Sequence, residues 1–359
     1  MHILLWIIGI LAAAAALGAI GQALATRRDA RRYPPPGRLV DIGGHSLHVL
    51  EMGQGSTNAP TILLEAGLMS TVLSWTGLQA RLAQSFRVVS YDRAGLGWSD
   101  LGPMPRTADR IVSELHTLLD RAKIPAPYVL VGHSFGGLTM PLFAARYPNE
   151  VAGMVLIDGV APIEWNPPSA RDARLTRIGA RVCHRSAFLA RIGLIRFVAF
   201  LLTTPAKKYG AHLVRLISRG APDESGTVSS PWFAALPGEE KEMAAVFWIQ
   251  PKFALTIASQ LENLPASAAA VAQAGASCQG PVIIFSAGTS SEPRRQAHAA
   301  MAKAYPLGEN HSAPRSNHWI MQQNPELVVA AVEKAAAHYE KSRAATSQPT
   351  AIGASAAAR

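Results

Sequence analysis

Ser134 stands at the centre of Gly132-His133-Ser134-Phe135-Gly136-Gly137, a G-x-S-x-G pattern. A strand-like run (128–131) leads into it and a helix-like run (138–147) follows. A serine so placed must occupy a sharp strand-to-helix turn. The flanking glycines let the backbone pass without collision, and the hydroxyl is left exposed. The helix N-terminus behind it favours developing negative charge. A serine hydroxyl is a poor nucleophile at neutral pH and needs a base. Of the eleven histidines, His318 is the best placed, in a loop beyond the last strand candidate and ahead of a helix at 325–339. His311 competes with it. His133 packs inside the elbow, while His45 and His48 belong to an early hairpin with surface or turn roles.

Two further parts complete an acyl-transfer site. An acid must fix the tautomer of the base and stabilise its charged form. Asp158 ends the strand candidate at 154–157, at the sheet edge where ligand sites form, and Glu292 is the alternative acid. Two donors must also face the tetrahedral oxyanion. The backbone N–H of Phe135 is one, and Leu68, in Glu65-Ala66-Gly67-Leu68 after the strand at 61–65, supplies the other. Asp92 and Arg93 brace this loop.

Positioning these groups requires a sheet. Strands are expected at 39–42 and 46–51, flanking Gly43-Gly44 as a hairpin, and at 61–65, 87–91, 128–131, 154–157 and 281–286. Helical patterns at 70–84 and 107–122 fall between them. Such alternation predicts an α/β protein with a doubly wound, mainly parallel sheet. The alternation breaks at 160–275, read as a helical cap inserted between catalytic segments 38–159 and 276–342. Residues 343–359 lose all periodicity and read as a disordered tail.

The elbow run, the segment Tyr91-Asp92-Arg93-Ala94-Gly95-Leu96-Gly97-Trp98-Ser99, and His318 through Pro325-Glu326 together resemble the α/β-hydrolase superfamily. The branch holding proline iminopeptidases, haloperoxidase-like esterases and haloalkane dehalogenases is the most similar, over roughly residues 38–340. The resemblance implies the α/β-hydrolase fold and a Ser-acid-His triad. Serine at the elbow argues against dehalogenase or epoxide-hydrolase chemistry, where the resembling enzymes carry aspartate. Most such enzymes place the acid after the strand at 281–286, whereas this chain reads Ala287-Gly288-Thr289-Ser290-Ser291-Glu292 there. Others use the end of the preceding strand, where Asp158 lies. Many have His-Gly where this chain has Ala66-Gly67, but the donor there is a main-chain amide.

Residues 3–25 carry no charge and reach roughly 34 Å as a helix, enough to cross a bilayer core. Residues 1–26 are therefore read as an uncleaved transmembrane anchor, and 27–37 as a basic, proline-rich linker. A cleaved signal peptide would have a shorter apolar run and a charged start. Arg27, Arg28, Arg31 and Arg32 flank the anchor and predict that the rest of the chain stays in the cytoplasm. The net charge is +10, but no nucleic-acid motif accompanies it. The charge gathers instead in those arginines and in eleven Arg or Lys residues at 160–222, a distribution suited to anionic lipid. Arg171, Arg174, Arg177, Arg181 and Arg185 share one helix face, ahead of an apolar stretch at 187–202 that is either a cap helix or an interfacial segment.

Hydrophobic residues form 49% of the chain, enough for a large core. Cys183 and Cys278 lack metal-ligand spacing, and triad chemistry requires no cofactor. The expected partners are a small-molecule ester or lipid-like substrate and a membrane, with no nucleic acid. A membrane-anchored serine hydrolase acting on an ester, less readily an amide, follows from these readings. The alternatives are an iminopeptidase-type peptidase, against which the acid-poor cap argues, and a non-catalytic binding protein on a hydrolase scaffold.

Overall fold

A computed structural model describes residues 1–56, 58–218, 233 and 236–347. Helix α1 (His2–Arg32) opens the chain, and none of its most apolar stretch is buried. It runs past the expected anchor boundary at residue 26. Ala and Arg are good helix formers, and Arg31 and Arg32 in the last turn suit the negative end of the helix dipole. Only the Tyr33-Pro34-Pro35-Pro36-Gly37 end of the basic segment is non-helical.

Strands β1 (Arg38–Asp41) and β2 (Ser46–Met52) form the antiparallel hairpin, with Gly43 and Gly44 at φ +102° and +91°. The remaining strands are β3 (Thr61–Glu65), β4 (Val88–Tyr91), β5 (Tyr128–His133), β6 (Val151–Ile157), β7 (Val282–Ala287) and β8 (Gly308–Ala313). Their order is β1-β2-β4-β3-β5-β6-β7-β8, and every neighbouring pair from β4 to β8 is parallel. The chain reverses its direction of winding between β3 and β5, which opens a crevice at their C-terminal ends. β8 has no counterpart in the sequence reading. It is a sheet-edge strand of polar residues, Gly-Glu-Asn-His-Ser-Ala, and lacks the apolar run that marks the buried strands.

Alternation along each strand divides the core. On one face Leu63, Leu130, Met154, Leu156 and Ile284 pack with α3 (Ala108–Ala122) and α4 (Gly136–Arg146). On the other, Ile62, Val129, Val131, Val155 and Ile283 pack with α2 (Thr76–Leu82) and with Val328, Val332 and Ala335. Burial on both faces is what a parallel sheet between helices requires. Each fully buried aliphatic side chain contributes about 1.5–3 kcal/mol. Thr107 caps α3 by accepting from the Arg110 amide.

Between β6 and β7 lie helices α5 (Ala170–Arg191), α6 (Leu194–Leu202), α7 (Lys207–Ile217), α8 (Gly238–Trp248), α9 (Pro251–Glu262) and α10 (Leu264–Ala274). The last two are stitched to the sheet domain. The Ser259 and Ser267 hydroxyls accept from the Arg106 and Ala108 amides, and Leu264, Ala268 and Val271 join the first core face. After β7 come α11 (Glu292–Lys303), β8, the short α12 (Ile320–Gln323) and α13 (Pro325–Ser347). Residues 343–347, read as the start of a tail, are the last turn of α13, and 348–359 lie outside the described residues.

Candidate active site

Ser134 sits between the end of β5 and the start of α4, at φ +53°. A non-glycine residue in the left-handed region persists only where its surroundings hold it. Three backbone bonds do so. The Ser134 amide donates to Ile157 O at 3.1 Å, and its carbonyl accepts from the Gly137 and Val160 amides at 2.9 and 2.8 Å. The elbow is thereby fastened to the end of β6. At Gly137, a Cβ would lie 2.5 Å from the Val160 nitrogen, so only glycine permits that approach.

Asp158 follows β6 immediately and is itself at φ +44°. Its carboxylate is buried and accepts three hydrogen bonds: His318 Nδ1 at 2.6 Å, Ser290 Oγ at 2.6 Å and the Ala287 amide at 3.1 Å. Arg294 Nη1 lies 3.9 Å away while its Nε holds Glu164. Burial alone would raise the Asp158 pKa. The hydrogen bond and charge of His318 outweigh it, helped by Ser290 and Ala287, and hold the group well below the usual carboxylate range.

His318 lies in the loop after β8, about one-third exposed. Its carbonyl accepts from His133 Nε2 at 2.9 Å, and the two rings lie 4.6 Å apart. Burial, then the neighbouring His318, pushes the His133 pKa well down, which favours a neutral imidazole donating to that carbonyl. His133 thus ties the His318 loop to the residue beside Ser134. The bond joins residues far apart in sequence, and no local signal announces it. Ser290 is a second support absent from the sequence reading. The loop after β7 lacks an acid, yet its hydroxyl and its Ala287 amide hold the acid from the neighbouring strand.

The structure does not bring Glu292 to His318. Its carboxylate is exposed at the start of α11 and bonds to Arg295 and Gln296. His311, on edge strand β8, pairs with Glu309 at 2.9 Å. His48 Nδ1 bonds Asp92 at 2.9 Å in the interior.

The loop after β3 lies directly against the elbow, since a Cβ on Gly67 would stand 3.2 Å from Ser134 Cβ. Arg93 braces this loop from behind. Its guanidinium ion-pairs with buried Glu65, donates to the carbonyls of Ala66, Gly67 and Leu68, and lies over the Phe135 ring at 5.2 Å. Burial pushes the Glu65 carboxyl up against the opposing pull of Arg93 and Tyr91. Asp92 accepts from the Val72 and Trp98 amides at 2.9 and 3.2 Å. With the Leu68 carbonyl turned to Arg93, no protein acceptor is bonded to the Leu68 or Phe135 amide among the described residues. Nor do those residues include a His, Cys, Asp and Glu group able to hold a metal ion.

The family model described as alpha/beta hydrolase fold matches residues 60–179. An uncharacterised protein of Bacillus subtilis (strain 168), YqjL, is 38% identical over 121 residues, covering 34% of this chain and 47% of that protein. The 2-(acetamidomethylene)succinate hydrolase of Mesorhizobium japonicum is 33% identical over 138 residues, covering 38% of this chain and 48% of that protein. This chain therefore spans about half the length of those two relatives. Among solved structures, the enol-lactonase of Burkholderia xenovorans LB400 superposes with a TM-score of 0.54 at 20% identity, over 83% of this chain and 99% of that one. A thermophilic esterase of Thermogutta terrifontis gives 0.50 at 21% identity, over 82% and 96%. At such identities these likenesses carry the fold.

Proposed function

We propose that the chain is a membrane-anchored serine hydrolase of the α/β-hydrolase superfamily, cleaving esters through an acyl-enzyme. The observation that carries the reading is the 2.6 Å bond between His318 Nδ1 and buried Asp158, in a frame bonded directly to the Ser134 elbow. In the proposed reaction Ser134 Oγ attacks the ester carbonyl as His318 Nε2 takes its proton. Asp158 holds the imidazole and stabilises its charged form. The Phe135 and Leu68 amides receive the oxyanion. The C–O bond to the alcohol then breaks, and His318 returns the proton to the leaving oxygen. Water, deprotonated by the same imidazole, attacks the acyl-Ser134 carbonyl; the bond to Ser134 Oγ breaks, His318 returns the proton to that oxygen, and the acid is released. The anchoring half of the proposal is supported by the length and apolarity of α1 and by its most apolar stretch having no buried residue.

Rapid mixing of the full-length protein with an activated aryl ester, followed by peptide mass spectrometry, tests the reading. A burst of phenol and an acyl adduct on the Ser134 peptide are expected. Steady turnover without a burst, and with no adduct on acid quenching, would favour a different chemistry.

A further inference from the structure

Helix α1 is fastened to the cap at three levels. Near its middle, Gly18 and Gly193 meet backbone to backbone. A Cβ on Gly18 would stand 2.1 Å from the Ile192 carbonyl oxygen, and one on Gly193 would stand 2.6 Å from the Gly18 oxygen. Further along, Arg196 of α6 donates to Gln22 Oε1 at 2.9 Å and to Asp29 Oδ2 at 2.7 Å. At the C-terminal end, Arg32 and the Tyr33 hydroxyl both bond Glu242 of α8, at 3.1 and 2.7 Å. The cap cannot shift along α1 without breaking these contacts.

The depth of the first contact matters. At about 1.5 Å per residue, Gly18 lies roughly 14 Å along the helix from Arg27, the first arginine of the flank. If Arg27 and Arg28 mark the lipid headgroups, the α5–α6 corner touching Gly18 lies below them, at the level of the acyl chains. The surface of that corner fits. Phe188, Phe197, Phe200, Tyr209 and Leu216 of α5, α6 and α7 are all exposed. Arg196, three residues beyond Gly193, is neutralised by Asp29, as a charge at such depth must be, and Arg191, beside Ile192, is exposed on a stem long enough to carry its charge towards the headgroups. Along α5 the exposed face leading away from the corner carries Arg171, Arg174, Arg177, Arg181 and Arg185. An apolar tip continuing into a basic face is the pattern of an element seated in anionic lipid.

We propose that the α5–α6 corner and the α6–α7 hairpin form a second membrane-inserted surface, clamped to α1, which holds the cap against the lipid. The proposal rests on the anchoring role of α1 and adds to it. One consequence is that an ester dissolved in the bilayer reaches the cap without first crossing water.

Nitroxide labels on single cysteines in the full-length protein test it, with Cys183→Ala removing the one partly exposed native thiol. Collision with oxygen and with a water-soluble nickel chelate is measured in vesicles of mixed zwitterionic and anionic phospholipid. Labels at Phe200→Cys and Leu216→Cys should resemble one at Ile10→Cys, open to oxygen and shielded from nickel. A label at Asp120→Cys, on the exposed side of α3, should show the opposite. Nickel access at 200 and 216 with shielding at 10 would overturn the second surface and leave the anchor intact. Nickel access at 10 would overturn both. Adding Gly18→Leu and Arg196→Ala should raise nickel access at 200 but not at 10, and leave turnover of a short soluble ester unchanged. No change at 200 would show that the clamp does not set the depth of the cap.

Discussion

Asp158 bears on both the chemistry and the stability proposed for this chain. As the group that orients His318, it should be sensitive to loss of charge. Asp158→Asn is expected to lower kcat by about 10⁴-fold, the scale of a lost triad acid, whereas Glu292→Gln should stay near wild type in the same ester assay. Equal turnover in both variants would remove Asp158 from the mechanism. Its carboxyl also has a folded-state pKa held well below the ordinary value. A depressed carboxylate contributes stability that is fully present above its unfolded pKa of about 3.9 and is lost as pH falls through the folded value. The difference in urea midpoint between wild type and Asp158→Asn should therefore be constant from neutral pH to about 5 and shrink below about 4. A difference that persists in stronger acid would mean that the ionised carboxylate is not what stabilises. At this scale the sequence displays what spacing can encode: a serine between glycines, an acid at a strand end, a histidine ahead of a helix. It does not display Ser290 or the His133–His318 bond, because a pair of groups more than a hundred residues apart leaves no local pattern.

The elements place these residues through close backbone approach. Gly137 lets α4 lie against the segment that carries Asp158 and Val160, and that segment bonds the Ser134 carbonyl. In Gly137→Ala the new methyl group meets backbone, which cannot rotate away, so overpacking of roughly 1–3 kcal/mol is expected. The thermal midpoint should fall by several degrees, at about 2–4 °C per kcal/mol for large domains, and ester turnover should fall with it. An unchanged midpoint would mean that the two segments separate easily. The buried strands were legible because their apolar runs are short and bounded by turns. β8 was not, since a strand whose partner lies on one side only needs little apolar surface. Helix ends were missed where apolar pattern and helix propensity part company. α1 and α13 both continue into segments of Ala, Arg and Lys that favour helix without burying a face.

For the whole molecule, a doubly wound, mainly parallel sheet and a helical cap between β6 and β7 follow from the alternation of patterns along the chain and its interruption, and the first helix follows from its apolar run; the strand order does not, and neither does the edge place of β8. The docking of that helix on the cap does not, because it depends on a glycine pair and an Arg–Asp bridge that look unremarkable one at a time. The arginine flank predicts orientation: a reporter fused to the C-terminus should be active only in the cytoplasm, and strong activity on the far side of the membrane would reverse the proposed topology. Sheet, cap and anchor are proposed to serve one activated hydroxyl, and that is the claim to test first. The full-length protein in detergent should be treated with a fluorophosphonate probe beside its Ser134→Ala and His318→Ala variants. Covalent labelling of the wild type that is abolished in Ser134→Ala and reduced by orders of magnitude in His318→Ala is the expected result. Folded wild-type protein that takes up no label, or a Ser134→Ala variant labelled as strongly as wild type, would contradict it.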